Sequence, residues 1–510
     1  VNAPRQPRIG PALVVLMMGL LPALGLWAIW QWADTQARID HAQPETSQPD
    51  TSQPDTSQPD TGQPDTGVDL MPSAPPAPVL STPFFSMRRT PLALAHELNL
   101  EVFKSEIAPL LATINDRSCV VISVDGNLVG QRNATLPVLP ASVQKIMVAA
   151  AALEILGEEF RYRTRVLGSL TSDGVVAGDL YLVGGGDPLL SGDWYPVSNL
   201  ERFPVFNHTS MDQLADAIVE AGVTRVTGNL VGDGSRYDDE FYAPGWGVGV
   251  AGTESGPYSA LTVNDARVLG DNLRASDPNE AAVRELRRLL AERGVRISGG
   301  AVSGTAPATT PEVAGIDSVP LPGVLAQMLT NSDNNSAEMI VKELGVAAQG
   351  LGTRPAGLQA MRNVFQSWGV NLDGVVLADG SGLSLDNRLT CEAVSAVLRR
   401  LEVDGHVGAG LPVAGNSGTL AGAFAGDPVS GSLRGKTGTL NNPPFNQDPP
   451  AVKALAGYLP VDGGGAIEFV LLLNGPTISD QSEYRPIWNL LAQVISTYPA
   501  GAGPDLLGPR

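Results

Sequence analysis

The chain has 510 residues, with 53 acidic against 33 basic side chains and a formal net charge of −20. That length holds two or three domains, and so acidic a chain lacks the clustered positive charge that a phosphate backbone demands, which excludes nucleic acid as a partner. Two cysteines, Cys119 and Cys391, exclude a disulfide framework or a CxxC metal site, and four histidines (His41, His96, His208 and His406) include no pair at metal-ligand spacing.

The first element in the chain is an uncharged run from Ile9 to Trp30, 22 residues or about 33 Å as a helix, long enough to cross a bilayer core. Arg5 and Arg8 precede it, which places the N-terminus in the cytoplasm and the remainder outside. A cleaved signal peptide is the alternative, but the run is long for one and ends in "WAIWQWA", which suits an interfacial aromatic belt. A five-residue repeat, "ETSQPDTSQPDTSQPDTGQPDTG", follows from Glu45 to Gly67. Its recurring prolines forbid a continuous helix and it has almost nothing apolar to bury, so it reads as a disordered, partly polyproline-like spacer continuing to about residue 83.

"PLALAHELNLEVFKSEIAPLLATI" has helical periodicity, and "SCVVISVDGNLVG" reads as a hairpin turning at Asp125-Gly126. "LPASVQKIMVAAAALEILG" predicts an apolar helix opening just after Pro140. From Arg161 to about Val302 short strands alternate with a few helices, and "LADAIVEAGVTRVTGNL" and "LRRLLAERGVRISGGAV" read as two αβ units with Gly222 and Gly294 as helix ends. Helices then dominate until three strands ("SGSLRGKTGTL", "VKALAGYLP", "AIEFVLLLNG") and a helix over about 482–496 close the chain. The expected fold is one α+β domain whose first and last parts meet in space, with the middle inserted between them.

Lysine is rare here, five against 28 arginines, so each retained lysine is informative: it can lose its proton when desolvated, and arginine cannot. Ser142 and Lys145 stand at i and i+3 at the opening of an apolar helix, on one face. The positive helix end and burial both disfavour a charged lysine there, and a neutral lysine can take the serine proton. A helix cap followed by a snorkelling lysine would look the same. Ser332-Asp333-Asn334, in "TNSDNNSAE", reads either as capping residues at a helix junction or as a hydroxyl and an amide turned into a cleft. Lys436-Thr437-Gly438-Thr439 falls in a strand, where Lys436 and Thr437 point to opposite faces and Gly438 lets a ligand approach the backbone. A Walker A loop is excluded, because Ser430 stands where its first glycine belongs and "TLNNPPF" cannot open the required helix.

The ordered set S-x-x-K, S-D-N, K-T-G is the signature shared by penicillin-binding proteins and serine β-lactamases. With "GDLYLVGGGDPLL" after the first motif, "LADGSGLS" (Leu377 to Ser384) between the second and third, and a long insertion, the chain resembles the D-alanyl-D-alanine carboxypeptidase/endopeptidase family, the low-molecular-mass class C penicillin-binding proteins. The resemblance runs from about Pro91 to Pro499. It implies a serine β-lactamase/transpeptidase-like domain over 84–162 and 303–500, an antiparallel sheet flanked by helices plus a helical subdomain. An α/β accessory domain is inserted over 163–302, after an anchor over 1–30 and a linker over 31–83, and a disordered tail occupies 501–510.

The resemblance also implies roles. Ser142 is the nucleophile toward the penultimate D-Ala carbonyl of a peptidoglycan stem peptide and Lys145 its base. Ser332 relays a proton to the leaving amine, and Asn334 holds the substrate amide and orients Lys145. Lys436 supplies positive charge for the terminal carboxylate, helped by Thr437 and Thr439. The Ser142 and Thr439 N–H groups form an oxyanion hole, and Ser381, Gly382 and Leu383 line the cleft beside Gly438. No metal or organic cofactor is implied; β-lactam antibiotics are expected ligands and the cell membrane an expected partner, with the catalytic body extracytoplasmic. Leu385 departs from relatives that carry arginine after DGSGLS, the nearest here being Arg388. A serine β-lactamase, or an idle wall-binding or β-lactam-sensing protein, are the alternatives. The split domain would bring Cys119 and Cys391 together, as a disulfide or as two buried thiols.

Overall fold

The structure, a computed structural model, describes residues 90–507 except 272, 443–446, 462–464, 479 and 502. The anchor expected over 9–30 and the linker over 31–83 lie outside the described residues, among which no helix is long and apolar enough to cross a membrane.

Helix α1 (Thr90–Thr113) leads into β1 (Cys119–Val124) and β2 (Asn127–Arg132). Asp125 (φ 49°) and Gly126 (φ 77°) turn this hairpin, both left-handed as a two-residue primed turn requires. A 3-10 turn, Ala141–Val143, then feeds α2 (Gln144–Leu156), whose Gln144 to Ala152 are all buried. A helix buried all round belongs inside a domain, and α2 is the core helix against which the rest assembles.

The inserted layer comprises β3 (Arg163–Leu167), β4 (Val175–Val176), β5 (Leu180–Val183), β6 (Leu190–Ser191), β7 (Thr209–Ser210), α3 (Met211–Glu220), β8 (Arg225–Val226), β9 (Leu230–Asp233), α4 (Pro278–Glu292), β10 (Arg296–Ile297), β11 (Ala301–Ser303) and β12 (Glu312–Asp317). Its larger sheet has the order β11-β9-β5-β3-β12, parallel at β11/β9 and β5/β9 and antiparallel at β3/β5 and β12/β3. The two αβ units appear as read: Gly222 (φ 96°) and Gly294 (φ 82°) follow α3 and α4 in left-handed backbone, and the helices share a separate core with the sheet. The sheet extends past Val302, because β12 returns to pair with β3 at the sheet edge, so the 302/303 boundary falls short of the layer's last strand.

Beyond it come α5 (Leu321–Asn331), α6 (Asn334–Gln349), α7 (Arg354–Ser367), α8 (Cys391–Leu401) and α9 (His406–Gly410). Strands β13 (Arg434–Asn442), β14 (Gln447–Pro460) and β15 (Ala466–Asn474) and helix α10 (Gln481–Ile495) close the domain. The main sheet, ordered β13-β14-β15-β1-β2, is antiparallel throughout and joins the two ends of the chain through β15 and β1. Side chains alternate across it. Cys119 and Val121 of β1, with Val470 and Leu472 of β15, face the core of α2, α5, α6 and α8. Val120, Ile122 and Val124, with Phe469 and Leu471, face α1 and α10. Both faces are covered, which is why these strands read as nearly unbroken apolar runs.

Cys119 and Cys391 form a disulfide with Cα atoms 5.9 Å apart, tying the start of β1 to the start of α8. The tail expected to be disordered instead carries a short helix, α11 (Pro504–Leu507), packed near α1; the Gly501 N–H donates to Asn99 Oδ1 and the Tyr498 ring stands 5.2 Å from Phe103.

Candidate active site

Local backbone geometry presents both serines of the first two motifs. Ala141, just before Ser142, has φ 46°, and Ser332, capping the end of α5, has φ 62°. A non-glycine residue in this region costs on the order of 1–3 kcal/mol and persists only where its surroundings enforce it. Three contacts enforce the first turn. Asn474 at the end of β15 accepts from the Leu139 N–H and donates to the Leu139 carbonyl, both at 3.0 Å, as a neighbouring strand would. Gly382, itself left-handed at φ 85°, packs so closely that a Cβ there would stand 2.0 Å from the Ala141 carbonyl oxygen. Gly438 serves the same purpose on β13, where a Cβ would meet Pro140 O at 2.9 Å and Ala141 Cβ at 3.1 Å. The strand edge therefore lies directly against the Ser142 turn.

The first two motifs and the DGSGLS turn meet at Lys145. Its Nζ lies 2.9 Å from Ser142 Oγ, 2.8 Å from Asn334 Oδ1 and 2.7 Å from the Ser381 carbonyl. It is fully buried, and burial pulls it from the ordinary lysine range down to about 8, against the opposing pull of Asp379, Glu338 and Asp333. A lysine near 8 is substantially neutral in mildly alkaline solution, and a neutral amine accepts the hydroxyl proton along the same 2.9 Å line. Asn334 is held in turn by donating to the Glu254 carbonyl at 2.8 Å, and Asp333 caps α6 by accepting from the Ser336 N–H at 3.0 Å. In the S-D-N segment Asp333 caps and the Asn334 amide faces the lysine.

Lys436 is also fully buried, and burial first, then the charge of Lys145, hold it well below the usual lysine range. Its Nζ donates to the Thr437 carbonyl at 2.9 Å. Thr437, half-buried, donates to Thr419 Oγ1 at 2.8 Å, and exposed Thr439 accepts from Lys453 Nζ at 3.1 Å. Ser332 is half-buried at the junction of α5 and α6, and no hydrogen bond ties its hydroxyl to Lys145 or Ser142. Ser381, Gly382 and Leu383 are buried in the turn whose carbonyl meets Lys145, so Ser381 contributes its backbone there while its hydroxyl points back to Asp379 at 3.4 Å.

Several residues of the site were not singled out by the sequence, although Asp379 lies within the quoted LADGSGLS stretch. Asp379 accepts from the Gly382 and Ser384 N–H groups, from Asn387 Nδ2 and from Trp246 Nε1, at 2.6–2.9 Å. Glu338 accepts from the Gly380 and Ser381 N–H groups. Asn335 accepts from Ser255 Oγ at 2.8 Å and from the Gly256 N–H at 2.6 Å. The inserted segment carrying Trp246 and Glu254 thus forms one wall of the cleft.

Residues 114–270 and 262–497 match the D-Ala-D-Ala carboxypeptidase 3 (S13) family. The carboxypeptidase DacB of Mycolicibacterium smegmatis is 32% identical over 373 residues, spanning 68% of this chain and 74% of its own length. The D-alanyl-D-alanine carboxypeptidase of Actinomadura sp. strain R39 is 30% identical, spanning 70% of this chain and 77% of its own. Among solved structures, penicillin binding protein 4 (dacB) of Haemophilus influenzae matches with a TM-score of 0.62 and 21% identity, covering 76% of this chain and 97% of that one, a likeness of fold.

Proposed function

This chain belongs to the D-Ala-D-Ala carboxypeptidase 3 (S13) family, and from that premise we propose that it is a serine-type D-Ala-D-Ala carboxypeptidase acting on peptidoglycan stem peptides through an acyl-enzyme. The observation that carries the reading is the placement of Lys145 Nζ between Ser142 Oγ and Asn334 Oδ1. Ser142 Oγ attacks the penultimate D-Ala carbonyl as neutral Lys145 takes its proton. The C–N bond breaks, and the terminal D-Ala leaves as an amine whose proton returns from Lys145 by way of Ser332. Water then attacks the ester carbonyl as neutral Lys145 accepts its proton, the C–Oγ bond breaks, and Lys145 returns the proton to Ser142 Oγ as the shortened peptide leaves as its carboxylic acid. Asn334 holds both the substrate amide and Lys145, and the backbone N–H groups of Ser142 and Thr439 receive the developing oxyanion, a contribution of about 2.7–4 kcal/mol per donor. Lys436, with Thr437 and Thr439, receives the terminal carboxylate, while Gly438 and the Ser381-Gly382-Leu383 turn border the bound peptide.

A β-lactam offers the same serine a strained amide whose nitrogen stays tethered after ring opening, so the acyl-enzyme persists. The body works outside the cytoplasm, anchored through the uncharged run 9–30; what supports this is the charge pattern around that run, together with the disulfide, which oxidising compartments permit. The test is a labelled-penicillin gel alongside D-Ala release from a stem pentapeptide. Wild-type protein should label stably and release D-Ala, and Ser142→Ala should do neither. Rapid loss of the label would indicate a β-lactamase, and labelling of Ser142→Ala at another serine would refute the assignment.

A further inference from the structure

Lys145 has a third partner besides Ser142 and Asn334, the carbonyl of Ser381, and that carbonyl is aimed by something else. Glu338 lies one turn beyond Asn334 on α6. Its Oε1 accepts from the Gly380 N–H at 3.1 Å and from the Ser381 N–H at 2.7 Å. Both groups are buried, and no Lys or Arg forms an ion pair with Glu338 among the described residues. A buried carboxylate without a cation in contact is costly, and the two N–H donors only partly offset that cost. The nearest use for its charge is Lys145, on the far side of the same turn.

We propose that Glu338 is a positioning residue for proton transfer at Ser142: it clamps the Gly380-Ser381 turn so that the Ser381 carbonyl meets Lys145 Nζ, and its negative charge bears on the protonation of that lysine. The inference rests on Lys145 being the base, as argued above. Other charges face the pair. Asp379 and Asp333 act on Lys145 in the same direction as Glu338, and Lys436 acts against them. Arg354 of α7 and Tyr258 face Glu338, but Arg354 is already paired with Glu240 at 2.8 Å and donates to the Ala378 carbonyl. Burial first, then the neighbouring Asp379, push Glu338 upward, while the N–H donors of Ser381 and Gly380 pull it down and favour its carboxylate form. Removing its charge must lower the lysine further and move the acid limb of acylation to lower pH.

The experiment measures the acylation rate of the full chain by a fluorescent penicillin from about pH 5 to about pH 10. Glu338→Gln keeps an oxygen where Oε1 accepts both N–H groups but removes the charge; its acid limb should fall by about half a pH unit or more, with a plateau within about threefold of wild type. Glu338→Ala removes the clamp as well, and its plateau should drop about tenfold or more without recovery at high pH. Glu343→Gln, on the same helix but paired with Arg236, controls for a merely structural acid and should leave the limb in place. A Glu338→Gln limb that stays put or moves upward overturns the inference, and so does a Glu338→Ala plateau equal to wild type. If Glu338→Ala fails to fold, the Glu338→Gln limb decides alone. Labelling of Ser142→Ala, or a wild-type profile with no acid limb, would instead sink the assignment of nucleophile and base.

Discussion

Two buried lysines on packed helices keep opposite company. Lys342 of α6 points toward the inserted layer, where its Nζ meets Asp238 Oδ1 at 2.5 Å and the Glu240 carbonyl at 2.7 Å and stands 5.0 Å above the Tyr258 ring. Lys145 of α2 points into the cleft and meets only neutral oxygens, from a serine, an amide and a backbone carbonyl. The carboxylates that act on it, Glu338 and Asp379, spend their lone pairs on N–H groups of the intervening turn. Burial is common to both lysines, so burial alone does not make a base. What differs is whether a carboxylate touches the ammonium: contact yields a structural tie, while charge held one turn away leaves Lys145 a lysine that desolvation can neutralise.

The hardest blow to that contrast comes from Lys145→Arg. Arginine keeps a cation in the cleft and cannot surrender its proton, so acylation should fall on the order of 10²–10⁴-fold, close to the fall for Lys145→Ala. Rates from stopped-flow penicillin binding would show it. An arginine variant acylating near the wild-type rate would make Lys145 an electrostatic group and erase its difference from Lys342. The next effect in size concerns how each region is held. The cleft half is tied covalently by Cys119–Cys391, closing a loop with a sequence separation of 272, whereas Lys342 ties the inserted layer through noncovalent contacts. Reduction should cost about 3–5 kcal/mol, seen as a fall in melting temperature, while the Cys119→Ala/Cys391→Ala variant, already without the bridge, should melt low and not respond to reductant. An unchanged melt on full reduction would remove the covalent half of the contrast.

Lys342→Met should do the reverse of Lys145→Arg. It leaves half-exposed Asp238 without its cation, so stability should drop by about 2 kcal/mol, less than for a wholly buried pair because solvent reaches the acid. Acylation per folded molecule should stay within about twofold. Chemical denaturation and active-site titration separate the two readouts, and a large loss of acylation with stability intact would mean that the two lysines are coupled.

The sequence carried those parts of the molecule that short spacings specify. Asp125-Gly126 marked the hairpin because both positions need left-handed backbone, and Ser142/Lys145 are neighbours by helix geometry alone. The meeting of first and last segments was legible from the order of elements, a hairpin and helix early and three strands with a helix at the end. Contacts made across long separations were not legible. Glu338 stands in "TNSDNNSAE" looking like any helix carboxylate, since its partners Gly380 and Ser381 arrive only with the fold. Asn474 ends a strand and shows no sign that it will pair with Leu139. Strand β12 has weak alternation and gains its place by pairing with β3, which is why the inserted layer outruns Val302. The cysteine pair was open between bridge and thiols until the geometry brought the Cα atoms to 5.9 Å.

Lys436 extends the comparison to a third buried lysine, with the smallest expected signal. Like Lys145 it touches no carboxylate, and burial together with Lys145 holds it well below the usual range. If its partner is the terminal carboxylate of the substrate, binding supplies the contact that Lys342 has permanently. The lysine is then raised on binding, and between its free and bound values the complex holds more protons than the free protein. Binding should therefore take up a proton, at most about one per site, and the uptake should fade at pH values below the free value, where the lysine is already charged. Calorimetry on Ser142→Ala, with a D-Ala-D-Ala peptide in buffers of different ionisation enthalpy, reads this number directly. The same peptide with a C-terminal amide should bind more weakly and take up no proton at Lys436. Equal uptake for acid and amide would place the carboxylate elsewhere and leave Lys436 among the lysines buried without a ligand to answer them.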